Sequence, residues 1–306
     1  MRDSFISSLL EVALKDENII LLTADLGFGI FDEFEKQLPN QFFNVGISEQ
    51  NMTGLATGLS LEGKKVVTYS IGNFPTFRCL EQIRNDACYH DVNVTIVASG
   101  GGYSYGQLGY SHHATEDISI MRSLPNTTIV APCSDWEAKN SIKMLVEKNG
   151  VGYLRLDKTF IDSKKYFKNE FQLYEAKTYI DGEDITLMAT GGIVREAIAA
   201  SEELKKYKVS ARVVSIHTLK PIDENVIEDA INNTGGIITI EENSIIGGLA
   251  GAISEYCLEN NKIPKKFKRI GIHNQFSSIV GTQDYLRKIN HLDYLSIVKQ
   301  VLRLIK

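Results

Sequence analysis

The chain has 306 residues, 43% apolar and 23% charged, enough for a sizeable core and for one large or two ordinary domains. Its formal net charge of −5 argues against nucleic acid or an anionic membrane surface as partner, since either would reward a basic face. No apolar run reaches the roughly 18 residues of a membrane span, and Cys79, Cys88, Cys133 and Cys257 form no CxxC pair. A cytoplasmic protein with reduced thiols is therefore expected, without a disulfide frame or zinc knuckle. The opening stretch, "MRDSFISSLLEVALKDE", is interrupted early by Glu11, Lys15 and Asp16 and reads as an amphipathic helix, not a signal peptide.

Along the chain, "NIILLTAD" (18–25), "KKVVTYSI" (64–71), "VNVTIVAS" (92–99) and "TTIVAP" (127–132) are short, nearly continuous apolar runs, the pattern of strands covered on both faces. "SDWEAKNSIKMLVEK" puts Ala138, Ile142, Leu145 and Val146 on one helix face, with Ser134 as N-cap. A second series begins near Ile185: "ITLMAT", "SARVVSIH" and "GIITIEE" as strands, with helices at about 193–207, 223–232 and 246–259. The alternation predicts an α/β protein of two doubly wound, mostly parallel domains, 1–160 and a smaller 181–306. The polar, Lys-rich stretch 161–180 between them reads as linker.

Ligands of parallel α/β sheets bind beyond the carboxyl ends of the strands, and three segments hold such positions. "NVGISEQNMTGLATGLSLEG" (44–63) places Glu49 where a strand-like run becomes a helix rich in small residues. Glu49 is either a first-turn carboxylate favoured by the helix dipole or an acid buried at a chain–chain contact, sharing a proton with a ligand nitrogen. Gly54 and Gly58 permit another backbone to approach that helix. "NFPTF" (73–77) carries Phe74 and Phe77, either core residues or a platform for a flat heteroaromatic ring. "VASGGGYSYGQLGYSHHATED" (97–117) is a glycine-rich loop ending in His112 and His113. A metal set lacks a third ligand of matched spacing, so none is assigned; a histidine here suits proton donation or hydrogen bonding to substrate.

Taken in order, "TADL" (23–26), the Glu49 segment, "NFPTF", "SHHATED" (111–117), "RSLPN" (122–126), "LKPID" (219–223) and "EENSIIGGLAG" (241–251) resemble the carboxyl-terminal half of a transketolase over almost the whole chain. The resemblance implies a pyrimidine-binding domain followed by a transketolase C-terminal domain. It implies that Glu49, in the family's "G-I-x-E" segment with Ile47, hydrogen-bonds the aminopyrimidine of thiamine diphosphate. Phe74 and Phe77 would pack on the pyrimidine, Asp25 would lie near the thiazolium, and His112 would contact substrate beside the reactive carbon. The family's G-D-G…N motif for diphosphate and Mg²⁺ is not in this sequence. The resemblance therefore implies one subunit of a split enzyme, completed by a companion chain that carries that motif and Mg²⁺, in an α₂β₂ heterotetramer.

Departures from the family pattern bear on substrate. Leu108 stands where these enzymes carry an aspartate that reads a sugar hydroxyl, and a leucine favours an apolar or deoxygenated carbon there. Gly100 and Gly29 replace a histidine and a serine that help hold the acceptor's phosphate. Asp157 falls near a phosphate-binding arginine position, with Arg155 two residues away as a compensating cation. Tyr103 and Tyr105 are new to the pocket. The expected reaction is transfer of a two-carbon ketol unit to a sugar acceptor, a deoxy or nucleotide-activated sugar. Two related alternatives are a deoxyxylulose-phosphate-synthase-like subunit and a 2-oxo-acid dehydrogenase β-type decarboxylating subunit. A third is a non-catalytic scaffold chain of the same fold.

Overall fold

A computed structural model describes residues 1–162 and 170–306. The first six strands are β1 (Ile19–Thr23), β2 (Phe42–Asn44), β3 (Lys65–Ile71), β4 (Val94–Ser99), β5 (Thr127–Val130) and β6 (Val151–Leu156). The second half contributes β7 (Lys177–Ile180), β8 (Ile185–Thr190), β9 (Ala211–Ser215), β10 (Thr218–Lys220), β11 (Ile237–Ser244) and β12 (Phe267–Ile272). They form two sheets, one of seven strands in the order β10-β5-β6-β4-β3-β1-β2 and one of five in the order β12-β11-β8-β9-β7. Among the described residues every strand pairing is parallel except those of β10 with β5 and β7 with β9, which are antiparallel.

Period-two alternation divides the first sheet between two cores. Leu21, Val67, Val97 and Leu154 face the helices Arg2–Ala13 and Asp135–Glu147, meeting Phe5, Leu9, Ala138 and Ile142. Ile20, Leu22, Val66 and Ile96 face the opposite way, toward Met52 and Ala56 of the helix Glu49–Leu61. All residues of β1, β4, β5 and β6 are buried, which is why these runs carry no polar alternation. Ser134 accepts from the Glu137 amide at 3.1 Å and caps its helix as the sequence suggests.

The expected helices appear as Val194–Leu204, Glu224–Asn233 and Leu249–Glu259. The last begins later than the apolar pattern implies, because the buried Glu241 carboxylate receives the Leu249 and Ala250 amides at 2.8 and 3.0 Å and so sets where its first turn starts. Part of the stretch read as linker, 163–169, lies outside the described residues. Its end is not linker: Lys177–Ile180 is β7, an edge strand of the second sheet. More consequentially, β10 leaves the second domain to close an edge of the first sheet, with Ala131 donating to the His217 carbonyl at 2.7 Å beside it. The carboxyl ends of β1, β3, β4 and β6 carry Asp25, the phenylalanine turn, the glycine-rich loop and Asp157 to one side of the sheet, and Glu49 follows β2 there.

Candidate functional site

Glu49 opens its helix yet is only 2% exposed, so the exposed first-turn carboxylate is excluded and the buried acid remains. Its Oε2 receives Arg78 Nη1 at 3.0 Å, while its Oε1 is buried with no hydrogen-bond partner among the described residues. A buried carboxylate oxygen left unpaired costs free energy, and a donor from outside the chain would relieve that cost. Arg78 is held from behind by Gln50, which donates to its carbonyl at 2.9 Å. The Arg78 guanidinium also lies 4.4 Å from the centre of the Phe74 ring.

From Phe74 the site continues to the histidine loop. The His112 ring meets Phe74 edge-on at 5.3 Å between centroids, and its Nδ1 lies 3.0 Å from Ser111 Oγ. Burial, reinforced by the neighbouring His113, pushes the His112 imidazole below its ordinary value, which favours the neutral ring near pH 7. Asn73 ties the two segments together, donating to the carbonyls of Ser111 and His113, each at 3.0 Å. Phe77 is half-buried in the same cleft with Asn73, Phe74, Arg78 and His113. The sequence pattern singles out neither Asn73 nor Arg78, although both sit inside "GNFPTFRC"; only the aromatic residues of that stretch stand out. Among the described residues no three His, Cys, Asp or Glu side chains converge as a metal set.

Asp25 sits at the end of β1 with a left-handed backbone, φ 54°. Asn44 fixes it from both sides, accepting from the Asp25 amide at 3.0 Å and donating to its Oδ1 at 3.1 Å. A non-glycine residue held at positive φ marks a position that its surroundings over-determine. Ile47 is 76% exposed, and a Cβ added to Gly54 or Gly58 would meet nothing within 4 Å. That face of the Glu49 helix is open in the single chain.

The loop after β4 holds the residues expected to choose substrate, and the structure separates them. Gly100 has φ +90°, and a Cβ there would lie 2.0 Å from the Tyr105 ring, so Tyr105 fills the space that a side chain at 100 would need. Lys158 Nζ lies 4.1 Å from the centre of that ring. Tyr105, Gly100, Lys158, Arg2 and Asp157 line one cleft. Two cations that the sequence pattern does not reveal thus stand beside the glycine that had suggested a missing anion clamp. Lys158 is found only once β6 is recognised, because it follows that strand closely. Leu108 is 56% exposed on a short turn, and Gly29 is exposed with φ +75°.

Two expected substrate contacts are corrected. Arg155 is 1% exposed, pairs with Asp117 at 3.1 Å, and donates to the carbonyls of Ala114 and Glu242, each at 2.9 Å. It lies buried in the seam between the sheets, because a guanidinium extending from a wholly buried strand reaches neighbouring loops and not the solvent. Tyr103 is equally buried, its ring edge-on to His113 at 5.2 Å and its amide donating to Glu242 Oε1 at 2.6 Å. Asp157 turns inward to accept from the Gly192 amide at 2.5 Å, and burial, opposed by Arg155, raises it to about 6.

Comparison with known proteins identifies the two domains. The transketolase pyrimidine binding domain model matches residues 1–162, and the transketolase C-terminal domain model matches 175–283. A putative transketolase C-terminal section from Methanocaldococcus jannaschii is 40% identical over 100% of this chain and 96% of its own length. An apulose-4-phosphate transketolase subunit of Phocaeicola vulgatus is 36% identical over 100% of this chain and 97% of its own. The solved structure of a split gene transketolase, an inactive beta4 tetramer, superposes with a TM-score of 0.90 at 31% identity, covering 99% of this chain and 97% of that one. The chain therefore belongs to the transketolase family and spans its pyrimidine-binding and C-terminal domains.

Proposed function

We propose that this chain is the pyrimidine-binding subunit of a split transketolase, transferring a two-carbon ketol unit from a donor to a sugar acceptor. One observation carries the reading: Glu49 is buried beside the Phe74–His112 face with Oε1 unpartnered. Thiamine diphosphate, when bound, supplies the carbanion chemistry of ketol transfer. Glu49 Oε1 is the acceptor or proton-sharing atom for its aminopyrimidine, with Arg78 holding Oε2. Phe74 and Phe77 would give the ring an apolar wall, Asp25 would serve the thiazolium end, and neutral His112 would hydrogen-bond the reacting substrate oxygen. Ile47 and the open glycine face of the Glu49 helix belong to the contact with a companion chain.

That companion supplies the diphosphate and Mg²⁺ site, and the assembly is an α₂β₂ heterotetramer in the cytoplasm, where four buried thiols stay reduced. In this reading 1–160 forms the pyrimidine-binding domain and 181–306 the C-terminal domain. The relative named for apulose 4-phosphate supports a sugar bearing an anionic group. Lys158 and Arg2, which share their cleft with Asp3 and Asp157, offer cations for such a group, while the exposed Leu108 disfavours a hydroxyl. The acceptor that fits both is a deoxy or nucleotide-activated sugar. The test reconstitutes the chain with its companion and assays ribose 5-phosphate against deoxy sugar phosphates and nucleotide-linked keto sugars. Preference for the deoxy or nucleotide-linked acceptors supports the assignment, and efficient turnover of ribose 5-phosphate alone overturns it.

A further inference from the structure

We propose that the second domain carries a separate binding site for a small diphosphate-bearing ligand, in the groove between β12 and the C-terminal helix Tyr294–Ile305. The groove has a volume of about 510 Å³ and is lined by Lys268, His273, His291, Lys299 and Arg303, with Ser296 and Gln300 as neutral donors. Among the described residues no carboxylate lines it, although the chain has 38 acidic residues against 33 Lys and Arg.

The helix explains the grouping. Ile297, Val298 and Val301 are buried against the second sheet, so the 296–299–300–303 stripe faces outward along the groove. Lys268 reaches the groove from β12, His273 follows the end of that strand, and His291 lies in the turn before the helix. Among the described residues Lys268, Lys299 and Arg303 make no ion pair. Three unpaired cations on facing elements repel one another, a cost that an anion bridging them removes.

The donor set specifies the occupant. Lysine, arginine, serine and glutamine donors suit several phosphate oxygens at once, and three full charges match a diphosphate better than a single phosphate. Leu304 is the one aliphatic side chain of that lining, and the two rings it offers are the imidazoles of His273 and His291, so the charged and polar donors set its character. The volume suits a small molecule. The groove shares no residue with the Phe74–Arg78 cleft or the Lys158 cleft, so it stands apart from the proposed ketol transfer.

The test is calorimetric titration of the full chain with inorganic pyrophosphate at fixed ionic strength, which needs neither companion nor cofactor. Saturable binding at one site per chain is expected. Lys299→Ala with Arg303→Ala should weaken it about tenfold or more, since a hydrogen bond to a charged group contributes about that factor. Lys36→Ala with Lys139→Ala, which removes the same charge elsewhere, should leave it within about twofold. Lys268→Gln, from the facing strand, supplies an independent loss should the helix variant fold poorly. Absence of saturable binding, or an equal loss in the control pair, overturns the site.

Discussion

Glu49 and Arg78 lie 3.0 Å apart at the open ends of the first sheet, while Asp117 and Arg155 lie 3.1 Å apart in the seam between the two sheets. Both are carboxylate–arginine pairs with a buried acid, and they differ in the arginine: the Arg78 side chain is 49% exposed, that of Arg155 only 1%. Asp117 Oδ2 also receives the Tyr153 hydroxyl at 2.7 Å, and the Tyr153 hydroxyl lies 3.1 Å from Thr76 at the base of the phenylalanine turn. A pair whose cation reaches water can rearrange around a ligand, whereas a pair locked on both sides holds elements in register. The seam thus fixes the turn that presents Phe74 and Phe77, and the open pair meets the chemistry.

The largest effect should come from breaking the open pair. Glu49→Ala in the reconstituted enzyme is expected to lower ketol transfer by about 10²–10⁴-fold, the range of acid–base groups, with the melting temperature nearly unchanged. Coupled turnover assays and thermal melts check this, and activity within tenfold of wild type would sink the role given to Glu49. Next in size, Arg155→Ala leaves Asp117 buried without its cation and should cost about 3–5 kcal/mol in urea unfolding. A loss below about 1 kcal/mol would show that the seam is no lock.

A smaller change sharpens the contrast within the open region. Gly100→Ala sets a Cβ into the Tyr105 ring at a positive φ and should destabilise by about 1–3 kcal/mol. Tyr105→Ala should recover part of that loss in a double-mutant cycle, and strict additivity would refute the steric account. The effect confined to a pH window belongs to Glu241. Burial raises it to about 7 from 4.5, against the pull of the Ala250 and Leu249 amides. A carboxyl that holds its proton more tightly folded than unfolded stabilises the fold in acid. This contribution is complete below about pH 4.5 and is lost as pH rises to about 7. Unfolding free energy measured across that window should fall less steeply in Glu241→Gln; an unchanged slope would refute the assignment.

The contrast also explains what the sequence could and could not show. Strands β1, β3, β4 and β8 were legible because burial on both faces removes polar alternation and leaves an unmistakable run. β6 was not, because "VGYLRL" contains both a glycine and Arg155, and a buried arginine reads as exposed until its acid is placed across the fold. β10 was hidden for a different reason: three residues paired antiparallel to a distant strand leave no local period. At the site, Glu49, Phe74 and His112 stood out by their order along the chain, and the structure links them through Arg78, which pairs with Glu49 and lies over the Phe74 ring that meets His112. Arg78, Asn73 and Lys158 act through distances that spacing does not encode, and Arg155 and Tyr103 drew attention for chemistry they perform inside the protein.

The exchange of β10 has a consequence for how this chain can be divided. Because residues 218–220 complete a sheet whose first strand starts at Ile19, the two halves are not interchangeable parts. A truncation after the first domain would strip β5 of its neighbour and leave a raw edge of unpaired amides and carbonyls, the kind of template that recruits other chains. Grafts between relatives must therefore carry the crossing strand with the first sheet, and the smallest heritable unit is the pair of domains together.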